Sequence, residues 1–86
     1  MSLKIRELNP SSVKVGWVGS LTIYGADLGK PGFVSIEGGD PPIESWSATQ
    51  IVVNVSKSTT ESQGKKRLVV HDEGGNFDET QWTVER

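Results

Sequence analysis

Residues 21–29 carry the pattern that most restricts how this chain can fold. Apolar Leu21 and Ile23 alternate with polar neighbours, which is the period of a half-buried β-strand. Gly25 then breaks the strand, and Gly29 closes the loop that follows. Leu28 is an apolar side chain in a loop that should be polar, so we expect it to fold back under the sheet as a plug. The segment therefore predicts a central strand that runs into an anchored loop.

The rest of the chain shows the same strand-like alternation and no apolar repeat of 3.6 residues, which argues against helices. The other alternating segments, each bounded by glycine, proline or polar residues, are 3–8, 33–36, 43–46, 51–55, 68–71 and 77–84. About seven short strands separated by turns predict an all-β sandwich.

Several local features refine this prediction. Leu8 falls on the opposite parity from Ile5, so we expect the first strand to bulge before Pro10 ends it. Residues 11–19 form a loop with more apolar content than a free connector needs. Residues 56–64 are a polar connector long enough to pass from one sheet to the other. Phe77 is off the inward parity of the last strand, and we expect it to cap the end of the core.

Size and charge exclude several classes of protein. The chain has 86 residues, which predicts a single domain over residues 1–86. It has no cysteine, so a disulfide or a thiolate metal site is excluded. The formal net charge of −2 gives no broad positive field for a phosphate backbone, and no apolar run is long enough for a membrane span. We therefore expect neither nucleic-acid binding nor membrane insertion.

The first residues do not identify a compartment. Met1, Ser2 and Leu3 lack the apolar stretch of a signal peptide, so the chain is cytosolic or a leader has been removed. The same three residues are typical of a leader added for expression. In that case the chain is an excised part of a longer protein.

Five blocks of residues, taken in order and with their spacing, form a family pattern across nearly the whole chain. They are Ile5, Leu8, Pro10 and Ser12; Gly19, Leu21, Thr22, Ile23, Gly25, Leu28 and Gly29; Val34, Ile36 and Gly38; Ser45, Trp46, Ser47, Thr49, Gln50, Ile51, Val53 and Val55; and Gly64, Leu68, Val70, Gly74 and Gly75. This pattern resembles the IPT/TIG domain, the immunoglobulin-like module of plexins and transcription factors. The fold that the resemblance implies is an immunoglobulin-like β-sandwich of the E-set, IPT/TIG type.

The resemblance also has departures and implications. Leu28 stands where the family usually has an aromatic residue, and Ser56 stands where it usually has proline. The cysteine pairs of metazoan members are absent, so the chain looks closer to bacterial-type copies. The family implies a non-catalytic spacer or protein-contact domain of a larger surface or exported protein, which favours an extracellular or cell-surface location. Some members dimerise, so we expect a monomer or a weak homodimer.

No residue pattern predicts catalysis, a cofactor or a metal site. His71 is the only histidine, and beside Asp72 we interpret it as part of a solvated turn. Residues 72–79 hold four carboxylates and an amide, a set that would suit calcium, but their spacing fits no calcium loop. Gly74 and Gly75 are explained by a hairpin turn, and we interpret the acidic flank as a soluble surface. Three cations at 65–67 are likewise interpreted as a soluble strand edge.

The candidate partner surface consists of aromatic and acidic residues on the predicted exterior. Trp17 lies in a glycine-bounded loop, where it either folds over the end of the sandwich or is offered to a partner. In the main hypothesis Trp17, Tyr24 and the turn at 30–32 pack against a neighbouring domain or another protein. The alternative is a carbohydrate-binding accessory module, in which Trp17 with Tyr24 or Phe33 stacks on a polysaccharide. The carboxylates that would then accept hydrogen bonds from its hydroxyls are Asp27 and Asp40. A third hypothesis is dimerisation through an unpaired edge strand.

Overall fold

The computed structural model describes residues 3–37 and 39–86, which form eight β-strands and no helix. These residues therefore contain no helix with the length and apolarity needed to cross a bilayer. Met1 and Ser2 of the predicted leader, and Gly38 of the family pattern, lie outside the described residues. The strands are β1 Lys4–Asn9, β2 Ser12–Lys14, β3 Gly19–Ala26, β4 Phe33–Ile36, β5 Ile43–Trp46, β6 Gln50–Val55, β7 Gly64–His71 and β8 Phe77–Glu85.

The strands form two four-stranded sheets that enclose one core. The first sheet has the strand order β1-β3-β6-β5, and the second has the order β2-β8-β7-β4. This arrangement confirms the predicted immunoglobulin-like β-sandwich, with eight strands in place of about seven. The polar connector at 56–64 joins β6 of the first sheet to β7 of the second, as expected.

The additional strand is β2, which lies inside the segment that the sequence predicts as a loop. It has three residues and pairs in parallel with the end of β8, where Ser12 is opposite Thr83 and Lys14 is opposite Glu85. Val13, between them, is buried in the core. Three residues are too few to show alternation, so this strand depends on its tertiary pairing with β8.

The strand predicted from Leu21 and Ile23 is central in the first sheet. β3 pairs antiparallel with β1 on one side and with β6 on the other, and both side chains are fully buried. The strand continues through Gly25 to Ala26, further than the sequence suggests. Glycine is required at position 25 of this ladder, because a Cβ there would collide with the carbonyl oxygen of Lys4. Leu28 is fully buried beyond the strand, which confirms the predicted plug.

The first strand has the predicted irregularity. The register between β1 and β3 shifts between Ile5 and Glu7, which is the position of a β-bulge. The shift changes the parity of the strand, so that both Ile5 and Leu8 pack against the core. β1 ends at Asn9, immediately before Pro10.

The second sheet contributes Trp82 as the largest fully buried side chain. Its indole Nε1 donates a hydrogen bond to the carbonyl oxygen of Pro10, at 3.0 Å. Val84 is buried on the same face of β8, as predicted. The expectation that Phe77 caps the core is wrong, because this residue is 58% exposed. β8 begins at Phe77 opposite His71, and this pairing places both side chains on the outer face.

The first and last strands place Lys4 and Glu85 at opposite ends of the sandwich. The amide of Ile5 donates to Asp78 Oδ2 at 2.8 Å, so the start of β1 lies beside the start of β8. The amide of Val15 donates to the carbonyl of Glu85 at 2.7 Å, at the other end of β8. The molecule measures 37 × 20 × 19 Å along its principal axes. We refer to its two ends as the Lys4 end and the Glu85 end.

Candidate ligand-contact surface

Trp17 packs against its own sandwich at the Glu85 end. It is half-buried, and its ring meets the ring of Trp82 edge to face, with centroids 6.0 Å apart and an interplanar angle of 72°. The hydroxyl of fully buried Thr60 donates to the carbonyl oxygen of Trp17 at 2.7 Å. A Cβ at Gly19 would come within 2.8 Å of the indole, so the ring also covers this glycine. Of the two arrangements expected for Trp17, the structure shows the one that folds over the sandwich end.

The other predicted residues do not form one site with Trp17. Tyr24 lies on the outer side of the first sheet, about 17 Å along β3 from Gly19 and hence from the Trp17 ring. Phe33 is on the second sheet. The exposed carboxylates Asp27 and Asp40 follow β3 and β4 respectively, in two separate connections. A sugar platform made of Trp17 with Tyr24 or Phe33 therefore has no counterpart in this geometry.

Three aromatic side chains lie next to one another on the outer face of the second sheet. Phe33 in β4 pairs with His71 in β7, and His71 pairs with Phe77 in β8. The Phe33 and His71 rings stack with centroids 4.4 Å apart at 13°, and the His71 and Phe77 rings stack with centroids 5.3 Å apart at 22°. Phe33 is 48% exposed and Phe77 is 58% exposed. We call these three residues the aromatic row.

A shallow groove of about 480 Å³ runs from the aromatic row along β4 and β7. Besides the aromatic row, its lining consists of Ser35, Glu37, Arg67 and Val69. Ser35 and Val69 are opposite each other in the ladder and form the floor next to the aromatic row. The volume lies in the range of small-ligand sites in proteins.

Charged side chains form the far end of the groove. The Nε of Arg67 donates to Glu79 Oε2 at 2.6 Å, and Arg67 Nη2 lies at the same distance from that oxygen. The pair is exposed, so it adds little stability, about 0–1 kcal/mol, and it directs the Nε edge of the guanidinium toward Glu79. The amide of Glu37 donates to the carbonyl of Arg67 at 2.8 Å, and Glu37 itself has a positive φ of 48°. Glu37 thus turns the chain out of the sheet beside Arg67.

The acidic hairpin beside the aromatic row is explained by its own hydrogen bonds. The amide of Asn76 donates to Asp72 Oδ1 at 2.9 Å, and Asn76 Nδ2 donates to Asp72 Oδ2 at 3.0 Å. The hydrogen bond from the Asn76 side chain, with further backbone donors in the turn, lowers the pKa of Asp72 below its ordinary value. Gly75 has a φ of +91°, which the turn requires.

Acid should weaken this hairpin through Asp72. Because the folded state lowers the pKa of this carboxyl, its stabilising effect is present above the unfolded pKa and is lost as the pH falls below about 4. Asp72→Asn keeps a hydrogen-bond acceptor but cannot titrate. Between pH 5 and pH 2.5 we therefore expect its melting temperature to fall less than that of the wild type. Thermal unfolding followed by circular dichroism at several pH values gives the slope of melting temperature against pH for both proteins. Equal slopes would show that Asp72 is not the titrating group.

Sequence reasoning selected Phe33 but missed the other two members of the aromatic row. A signal for them existed: the hairpin closed by residues 72–76 places residues 71 and 77 opposite each other. Because paired residues share a face, an outward His71 requires an outward Phe77. The pairing of Phe33 with His71 depends on β4 lying beside β7, and no local pattern shows that.

Comparison with known proteins supports the β-sandwich fold but identifies no family for this chain. No family model matches the chain, and no curated protein sequence does either. A gamma-CGTase from Alkalophilic bacillus clarkii has a similar structure, with a TM-score of 0.78 and 20% identity over 96% of this chain. An auxiliary nutrient binding protein from Bacteroides ovatus matches 99% of this chain with a TM-score of 0.65 and 11% identity.

The matched regions are small parts of those proteins. This chain covers 12% of the gamma-CGTase chain and 21% of the nutrient binding protein. At such low identity the likeness shows the fold alone. The chain therefore has the β-sandwich fold of modules that are found within larger proteins.

Proposed function

We propose that this chain is an IPT/TIG-type module without a catalytic role, which acts as a spacer in a larger bacterial surface or exported protein. The observation that carries the proposal is the position of the two chain ends. Lys4 and Glu85 lie at opposite ends of a sandwich 37 Å long. Domains attached before and after this segment would be held apart by its length.

The closed core supports the spacer role. Among residues 3–37 and 39–86, fourteen buried apolar side chains form one cluster between the sheets, and the loops at both ends pack against it. At the Lys4 end the Trp46 indole donates to the carbonyl oxygens of Leu28 and Gly29, each at 3.2 Å. At the Glu85 end Trp17 and Thr60 close the sandwich. Such anchored ends would transmit orientation between neighbouring domains better than free loops.

The surroundings of His71 support a module without catalysis. The only histidine of the chain is stacked between two phenylalanine rings. This position suits packing better than proton transfer, which requires a hydrogen-bonded partner for the imidazole. The proposal therefore assigns it a structural or binding role.

A contact with a neighbouring domain remains part of the proposal, but with different residues in the leading role. The Trp17 ring packs against Trp82, which leaves less of it for a partner. Tyr24 and the exposed residues 30–32 lie at the Lys4 end, where a preceding domain would attach. We assign the interdomain contact to this end.

The edge strands of the two sheets are β1 and β5 in the first sheet and β2 and β4 in the second. Their geometry gives little support to self-association. β1 and β5 both contain a register shift, which interrupts the flat edge that strand pairing needs. β2 has three residues. On β4, Ile36 and Gly39 exchange backbone hydrogen bonds at 2.8 and 2.9 Å, which covers the end of that strand. The proposal therefore takes the module as a monomer.

The spacer role can be tested in the full-length gene product that contains this segment. Three forms are compared: the intact protein, a form without the segment, and a form in which an unrelated immunoglobulin-like sandwich of similar length replaces it. We expect the replacement to retain the export and activity of the intact protein, and the deletion to lower both. If the replacement fails as badly as the deletion, the role depends on this module's surface and not on its length. A gene product no longer than 86 residues would contradict the proposal outright.

A further inference from the structure

We infer that the aromatic row and the adjoining groove bind a neutral carbohydrate. This site shares Phe33 with the carbohydrate site that the sequence predicts, but it contains neither Trp17 nor Tyr24 and lies on the outer face of the second sheet. The inference goes beyond the spacer role and does not depend on it. A module can act as a spacer without binding a ligand, and it can bind a ligand without acting as a spacer.

The apolar half of the site is the aromatic row. Outward positions on a solvent-facing sheet are normally polar, yet Phe33 and Phe77 are 48% and 58% exposed there. The row stands at one end of the groove, where stacking covers both faces of the His71 ring and leaves the outer faces of Phe33 and Phe77 and the ring edges to a ligand. One face of a sugar ring is formed mainly by C–H groups, and such a face packs well against aromatic carbon.

The polar half begins one step further along the same strands. Ser35 follows Phe33 on the outer face of β4, about 7 Å from it, and Glu37 lies in the turn immediately after the strand, about 13 Å from Phe33. Within residues 3–37 and 39–86, neither the Ser35 hydroxyl nor the Glu37 carboxylate makes a side-chain hydrogen bond to the protein. Arg67, on β7, donates through Nε to Glu79 and retains further N–H donors. Donors and acceptors beside an apolar wall match the hydroxyls and the C–H face of a sugar.

The charges in and around the groove favour a neutral ligand. Two carboxylates, Glu37 and Glu79, accompany the single guanidinium of Arg67, and the whole chain has a net charge of −2. The lining itself carries one carboxylate, Glu37, and one guanidinium, Arg67, so an anionic ligand such as a phosphate or a uronic acid polymer would find no excess of positive charge here. A neutral polyol can use the carboxylates as acceptors and the guanidinium as a donor.

The size of the site also argues against a protein as the occupant. A stable protein interface buries about 800 Å² on each partner around an apolar centre. Here the apolar part is limited to the aromatic row and Val69, and charged side chains follow it within about 13 Å. A groove of about 480 Å³ fits a short oligosaccharide better than a folded partner.

Nuclear magnetic resonance titration of the isotope-labelled 86-residue chain tests the inference, with four neutral probes: maltohexaose, cellohexaose, xylohexaose and mannohexaose. At least one probe at millimolar concentration should shift the backbone resonances of Ser35, Val69 and His71. Resonances around Trp17, at the other end, should stay unchanged. Absence of shifts with all four probes overturns the inference, and so do shifts confined to Trp17 or Tyr24.

Two exposed-residue variants and a matched control sharpen the test. Phe33→Ala and Phe77→Ala should each weaken the binding of the active probe by about tenfold, the usual order of effect for a central aromatic contact. Tyr24→Ala removes an aromatic ring from the other sheet and should leave the affinity unchanged. Equal loss in all three variants would overturn the assignment. Tighter binding of a polygalacturonate oligomer than of any neutral probe would also overturn it, as would groove shifts that follow protein concentration and therefore indicate a second copy.

Discussion

Replacement of Trp82 by alanine should lower the free energy of unfolding by about 3–5 kcal/mol, the usual cost of removing a large buried aromatic side chain. Trp82 is the largest fully buried side chain in the part of the chain that the structure describes. Its loss would leave a cavity between the sheets and would remove the edge-to-face contact with Trp17. It would also leave the carbonyl oxygen of Pro10 without the hydrogen bond that it receives at 3.0 Å. Since small domains have only about 5–15 kcal/mol in total, this variant should be marginally stable.

Urea unfolding followed by far-ultraviolet circular dichroism measures this loss without relying on tryptophan fluorescence. Trp82→Phe is the matched variant, because it keeps an aromatic ring but removes the indole donor to Pro10. We expect it to lose roughly 1–3 kcal/mol, because the smaller ring leaves space in the core and the partly buried carbonyl of Pro10 loses its donor. A Trp82→Ala variant within about 1 kcal/mol of the wild type would contradict the packing described here.

Replacement of Leu28 by alanine should cost about 2–5 kcal/mol, although Leu28 lies in a loop. Substitutions in surface loops usually change stability by less than about 0.5 kcal/mol. Leu28 differs because its side chain is fully buried and its backbone is tied on both sides. Its amide donates to the carbonyl of Ala48 at 3.0 Å, and its carbonyl accepts from the Trp46 indole at 3.2 Å. The backbone would hold the position of residue 28, so the cavity could not collapse easily.

The control for Leu28 is Val18→Ala, which shortens an aliphatic side chain in another loop. Val18 is 60% exposed, so its truncation should leave the stability within about 0.5 kcal/mol of the wild type. Both variants are measured by the same urea titration. Equal effects from Leu28→Ala and Val18→Ala would show that Leu28 is not a plug.

Alternation explains why much of the fold was predictable from the sequence. Where one face of a strand packs on a core, its apolar residues recur every second position, as Ile51, Val53 and Val55 do in β6. The bulge in β1 was visible because it leaves a change of parity between Ile5 and Leu8. These features depend on neighbours along the chain.

The features that escaped prediction depend on pairing between distant segments. β2 exists because Ser12 meets Thr83, and three residues carry no period of their own. Phe77 was correctly predicted to lie off the inward parity of β8, but its expected role as a core cap was wrong, because its pairing with His71 holds it on the outer face. The aromatic row needs β4 next to β7, which local sequence does not determine. Trp17 had two possible positions, and its contact with Trp82 distinguishes them.

The most direct test of the two-sheet core is native-state amide hydrogen exchange. β3 is internal to the first sheet and β7 is internal to the second, so both strands are hydrogen-bonded on both sides. The amides of Leu21 and Ile23 in β3, and those of Leu68 and Val70 in β7, should exchange only through global unfolding. Exchange of either pair within minutes at neutral pH, while the other pair stays protected, would contradict a single core closed by both sheets.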